Sequence, residues 1–143
     1  MANPDDNEDQ IQKVLDNVAA AAARKDLDQV MANYSPSLVA FDLMPPLRQN
    51  AADFRKSWET AFSMAKAFGI ELRDVSITAD SQIGFAHALM HTRVVTNEGK
   101  THDNWLRWTV GLRKIDGAWK IVHEQTSVPV DMEAMKPLMD LQP

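Results

Sequence analysis

The chain reads as an α+β domain: a curved antiparallel sheet forming a cone, with three N-terminal helices packed on its concave side. Three observations predict this. Apolar residues recur at spacings of three and four through the first half, and from Ile70 onward the spacing changes to two. Asp116-Gly117 then supplies a strong hairpin signal between strands longer than the usual ~6 residues, which must curl. The whole chain, 1–143, is expected to be a single domain, with a frayed N-terminus over 1–9 and a short C-terminal tail over 129–143.

Asp5, Asp6, Glu8 and Asp9 stand without a base among them, as in a solvated lead-in, and Asn7 with Gln10 imitates a capping box. Ile11, Val14, Leu15, Val18, Ala19 and Ala22 then form one helical stripe. A second, shorter helix starts at the N-cap candidate Asp26 and stops before Pro36. Residues 38–42 form a short strand closed by Pro45-Pro46. Asn50 caps a third helix with Phe54, Trp58, Ala61, Phe62 and Ala65 on one face, and Gly69 is placed to end it.

Ile70 and Leu72 alternate on one parity and Val75 and Ile77 on the other, which predicts a bulge near Arg73-Asp74. Strands follow over 83–95, 102–115 and 119–128, with Gly99 at a left-handed loop position. Asp131 is expected to cap a tail helix carrying Met132, Met135, Leu138 and Met139 on one side. A cone of this kind leaves a ligand-sized gap between sheet and helices.

Composition narrows the functional classes. The net charge of -5 and the scatter of Lys and Arg argue against nucleic acid, and 24% charged residues argue against a membrane protein. The absence of cysteine removes disulfides and thiolate chemistry, and the N-terminus lacks the pattern of an export signal, so a cytoplasmic location is expected. His87 and His91 lie about 13 Å apart along a strand, too far to share an ion, and neither a metal nor a cofactor is expected.

Asp26-Leu-Asp28, the strand-ending Asp42, the phrase Phe41-Asp-Leu-Met-Pro-Pro-Leu-Arg48, and Gly117-Ala-Trp119-Lys-Ile-Val-His123-Glu124 resemble the NTF2-like superfamily over roughly Gln10 to Pro129. Within it the chain is similar to the SnoaL-like and ketosteroid-isomerase-like group. The resemblance implies Asp42 as a general base and a homodimer. It does not carry over the isomerase oxyanion hole, because Val18 and Gly111 stand where a tyrosine and a second acid would be, and the one tyrosine is Tyr34.

Read from the residues themselves, Asp42 shares a strand face with Leu38 and Ala40, so it enters an apolar cavity if they do. Desolvation there would suit a base, whereas a structural aspartate would accept N–H bonds in the Pro45-Pro46 turn or pair with Arg48. Arg107, beside Trp105 and Thr109 on one strand face, is a candidate electrophile, or else a surface arginine paired across strands. His123 is expected to share a face with Trp119, Ile121, Gln125 and Ser127 as a proton shuttle, with Glu124 pointing away, or to be bonded to neighbouring backbone.

His87 and His91 on one parity, Trp58 and Phe62 on the third helix, and Arg48 at the mouth complete the expected pocket wall. Leu106, Trp108, Val110 and Leu112 suggest a broad outer face for a homodimer. Two functions stay open: cofactor-independent acid–base chemistry of isomerase, cyclase or dehydratase type on a small apolar or carbonyl compound, and non-catalytic binding or dimerisation. A homodimer with a vestigial pocket is a third, plainer possibility.

Overall fold

The computed structural model describes residues 3–143. Helix α1 runs Pro4–Ala23 and starts on a proline, whose fixed φ and missing N–H suit the first helical position. Residues 4–9, expected as a frayed lead-in, are thus helical, and Asn7 is buried with Lys114 Nζ 3.5 Å from its Oδ1. Helix α2, Leu27–Met31, is capped by Asp26, which accepts a bond from Gln29 N at 3.1 Å. Strand β1, Tyr34–Phe41, leads through a loop to α3, Ala51–Met64, capped by Asn50 accepting from Asp53 N at 2.9 Å. Strands β2 (Ala65–Ala79), β3 (Ile83–Thr96), β4 (Thr101–Ile115) and β5 (Ala118–Ser127) follow. The chain closes with the two-residue strands β6, Val130–Asp131, and β7, Lys136–Pro137.

The main sheet has the order β1-β5-β4-β3-β2, antiparallel except where β1 runs parallel to β5. β1 begins at Tyr34 and passes through the exposed Pro36, which an edge strand tolerates because its missing N–H has no ladder partner to lose. The bulge expected near Arg73-Asp74 is present, with the β2–β3 register shifting between Arg73 and Ser76 and Asp74 at φ 55°. Asp116 and Gly117, at φ 51° and 81°, form the tight turn between β4 and β5.

Three further expectations are corrected, besides a β1 that begins at Tyr34 rather than at Leu38. α3 ends at Met64 rather than Gly69, because Ala65 is already extended and paired with Thr96, which places Gly69 inside β2 opposite Arg93. No tail helix forms among the described residues. Asp131 Oδ1 instead accepts from Glu133 N and Ala134 N in a turn that folds β7 back on β6, and Pro137 could not donate within a helix. The third correction concerns Leu106, Trp108, Val110 and Leu112. These face the helices: Trp108, Val110 and Leu112 are buried core and Leu106 packs against it, so they are not an outer face.

The core lies between α1 and α3 on one side and the concave sheet face on the other. Ile11, Leu15 and Val18 from α1 and Phe54 and Phe62 from α3 meet Leu38, Met90, Val110 and Ile121. Small residues on β3 permit close approach. A Cβ added to Gly84 would stand 2.7 Å from Ile11 Cδ1 and 3.2 Å from Ala79 Cβ.

Candidate functional site

An apolar cavity of about 170 Å³ lies between α1, α3 and the concave sheet. Val18, Phe54, Trp58, Phe68, Ile70 and Met90 supply its greasy wall. Aromatic packing fixes that wall, with Trp58 in a T-shaped contact with Phe54 at 6.3 Å and a tilted one with Phe68 at 5.6 Å. Tyr34, Asp42, Trp108 and Glu124 bring polar atoms to it.

Glu124 is the most unusual of these groups, a carboxyl only 5% exposed. Its Oε1 accepts a 2.5 Å bond from the Tyr34 hydroxyl. Burial raises its pKa from 4.5 to about 7 against the lowering effect of that hydroxyl and of the nearby Trp108 indole N–H, while the Asp42 charge raises it further. Trp108 Nε1 faces the carboxyl yet makes no hydrogen bond of ordinary geometry, so it remains an open buried donor. Tyr34 is likewise pushed well above 10.0, first by burial and then by the Glu124 charge.

Asp42 follows the last residue of β1 and is half-buried at the cavity mouth. Burial raises its pKa, and the backbone N–H groups of Leu43 and Met44 hold it down. The arrangement sets two unlike carboxyls in one cavity, an outer one partly exposed and held by backbone N–H groups, and an inner one buried against Tyr34.

A second, more open groove of about 610 Å³ continues from the first and shares Asp42 and Thr126 with it. The loop 43–48 builds it, together with Phe41 and Gln125. Arg48 lies in this groove, as does Gln125, both outside the inner cavity. Among the expected pocket residues, Trp58 and Asp42 line the inner cavity, whereas Phe62 is buried behind Trp58 and Phe68 and does not line it.

Six others, Trp105 among them, are on the convex face, contrary to expectation. Arg107 is exposed and its Nε donates to Ser127 Oγ at 3.1 Å across the β4–β5 ladder. His123 donates from Nδ1 to the Val39 carbonyl at 2.6 Å and packs edge-on against Phe41. His91 stacks on Trp105 and bonds Asp103. His87 and Thr109, directly opposed, complete this row.

The reason is parity. On β3 and β4 the even-numbered residues face the helices, because that side carries the apolar and small side chains. On β5 a bulge intervenes, since Gly111 opposes His123 and Leu112 opposes Ile121, which leaves Val122 as an extra residue. Trp119 and Ile121 therefore point inward, the alternation slips by one, and Glu124 rather than His123 enters the cavity. Glu124 escapes the sequence reading for that reason, whereas Tyr34, expected in the second helix, begins β1 because α2 already ends at Met31. A glutamate within the run Trp119 to Ser127 was visible, but the slip that turns it inward was not.

Among the described residues no group of three or more His, Cys, Asp or Glu could hold a metal ion, and no helix is long and apolar enough to cross a membrane. No curated protein matches the chain. Solved structures do. An NTF2-like protein of unknown function from Pseudomonas putida aligns with a TM-score of 0.86 and 29% identity over 96% of each chain. A proposed scytalone dehydratase from Novosphingobium aromaticivorans aligns with a TM-score of 0.78 and 10% identity over 95% of each. A ketosteroid isomerase-like protein from Erwinia carotovora aligns with a TM-score of 0.71 and 17% identity over 85% of this chain and 95% of its own. At the identities of the last two, the likeness is one of fold. The family model of the SnoaL-like domain matches residues 11–131, and with the sheet, the helices and the cavity in place this chain belongs to the SnoaL-like family of the NTF2-like superfamily.

Proposed function

We propose that the inner cavity performs cofactor-independent acid–base chemistry of the dehydratase or isomerase type on a small carbonyl compound. The observation that carries this reading is the pairing of two unlike carboxyls in one apolar cavity, Asp42 at the mouth and Glu124 bonded to Tyr34 at the back. In an elimination, Asp42 takes a proton from the carbon next to the carbonyl, and the C–H electrons form the new double bond. The C–O bond then breaks as Glu124 protonates the departing hydroxyl, and water leaves. In an isomerisation, Asp42 would instead return its proton to a different carbon while Glu124 hydrogen-bonds the enolate oxygen. Tyr34 holds the Glu124 carboxyl in place and stabilises its anion after the proton is given up.

The test is a panel of single-ring ketones and β-hydroxy ketones in D2O, read by proton NMR for deuterium uptake beside the carbonyl and for water loss. Asp42→Asn and Glu124→Gln are each expected to slow turnover by about 100- to 10,000-fold, the usual worth of a positioned acid or base. Rates equal to wild type in both variants would take the chemistry away from these two acids, and no exchange or water loss above background in wild type would leave a binding module as the better reading.

The convex face is proposed as a homodimer surface. Ile83, Phe85 and Phe41 are exposed large apolar residues, and Phe85 and Phe41 flank His123 across the ladder, with Gly111 leaving an open step between Phe85 and His123. A cytoplasmic location is proposed as well, on the composition alone.

A further inference from the structure

We propose that the inner cavity and the outer groove form one bipartite site for a single-ring carbonyl compound carrying a carboxylate tail. The ring oxygen accepts from Trp108 Nε1 beside Glu124, and the tail pairs with Arg48. The inference rests on the acid–base reading of the same site and adds the class of substrate.

Size comes first. A dry cavity of ~150 Å³ holds benzene, so about 170 Å³ admits one ring rather than a fused set. Polarity fixes its orientation. Trp108 is 2% exposed and its Nε1 points toward the Glu124 carboxyl without a hydrogen bond of ordinary geometry, so this buried donor is incompletely satisfied until a better-placed acceptor arrives. An indole N–H only donates, so the group that satisfies it must be an oxygen with a free lone pair, such as a carbonyl.

Charge decides the other end. Among the described residues no cation lines the inner cavity, and Asp42 and Glu124 there are both acids, so nothing in it receives an anionic group. The outer groove contains Arg48, an exposed cation that makes no hydrogen bond or ion pair among the described residues. Because the two cavities share Asp42 and Thr126, one molecule can occupy both, with Asp42 beside its middle. Phe41, Leu43, Met44 and Leu47 offer apolar surface to the methylenes between ring and acid. Guanidinium and carboxylate geometry match in two parallel hydrogen bonds, which favours a carboxylate.

The experiment uses three probes and equilibrium calorimetry, with no turnover needed. They are cyclohexanone bearing a propionate opposite the carbonyl, its methyl ester, and the same acid without the ring oxygen. Wild type is expected to bind the keto acid about 10-fold more tightly than either of the others, the equivalent of one good charged hydrogen bond. Arg48→Gln should make acid and ester equal while keeping the preference for the ring oxygen. Trp108→Phe should remove that preference and keep the one for the acid. Should Trp108→Phe fail to fold, the indole N–H resonance of wild-type Trp108 should move downfield with the keto acid and stay in place with the deoxy acid.

An ester that ties with the acid in wild type, an unmoved indole resonance, or no binding of the keto acid at about 5 mM, where even a ~3 kcal/mol interaction registers, would overturn the proposal. These failures are separable from failure of the acid–base reading. Neutral ring ketones that exchange in an Asp42-dependent way while the acid shows no preference would remove only the tail. Tight keto-acid binding without any exchange would remove only the chemistry.

Discussion

Tyr34 on β1 donates to Glu124 on β5 at 2.5 Å, joining the chain's one tyrosine to its one deeply buried glutamate across 90 positions of sequence. The bond spans neighbouring parallel strands, with Ala40 opposite Glu124, and it fixes the inner carboxyl at the back of the cavity. Removing the hydroxyl by Tyr34→Phe takes away a lowering influence on Glu124, so the Glu124 pKa should rise above about 7. Stability should fall by ~1–3 kcal/mol, the usual penalty for stranding a buried partner. Carbon-13 NMR of the Glu124 carboxyl and urea denaturation check the two effects, and an unmoved titration would mean that the hydroxyl does not act on the carboxyl.

Glu124 also makes stability depend on pH. Its folded pKa lies above the unfolded value, so the folded state retains a proton that the unfolded chain releases. Below pH 4.5 both states are protonated and no penalty exists; between 4.5 and about 7 the penalty grows, and above that it is constant. Asp42, also raised, acts in the same direction from 3.8 upward. Unfolding in urea should therefore become easier from pH 5 to pH 7, by as much as ~3 kcal/mol in total. Glu124→Gln should flatten most of that slope, and an equal slope in the variant would assign it to other groups.

Gly84 is a packing requirement rather than a turn residue. In Gly84→Ala the new methyl meets buried Ile11 Cδ1 at 2.7 Å and Ala79 Cβ at 3.2 Å, so the packed Ile11 side chain, or α1 or β3 with it, must shift. The expected cost is ~1–3 kcal/mol, read as a lowered urea midpoint with an unchanged m-value. No loss would mean that Ile11 relaxes freely.

The proposed dimer is checked by sedimentation equilibrium. Wild type should run as twice the 16.0 kDa chain, and Phe85→Glu, which places a charge at the centre of the convex face, should run as one. A wild-type monomer would remove the proposal without touching the cavity.

The order of elements was legible because local chemistry specifies it. Asp26 and Asn50 cap helices, Gly99 and Asp116-Gly117 turn the chain with positive φ, and the parity change near Arg73-Asp74 marks a bulge. Each of these depends on residues within a turn or two. Asp42 was legible as a cavity residue for the same reason, since Leu38 and Ala40 on its face are plainly apolar.

What the sequence by itself determined was the fold and one end of the site. The tertiary structure decided which sheet face the helices cover and which carboxyl enters the cavity. Alternation in β3 and β4 defines two faces without saying which is concave; α1 and α3 decide that by burying Ala86, Met90, Trp108 and Val110 and leaving Arg107, His91 and Thr109 outside. The extra residue Val122 then turns Glu124 inward and His123 outward. A one-residue slip reverses every side chain beyond it, and nothing local in residues 118–127 signals that slip, because it arises only when β5 must match both β4 and the parallel β1.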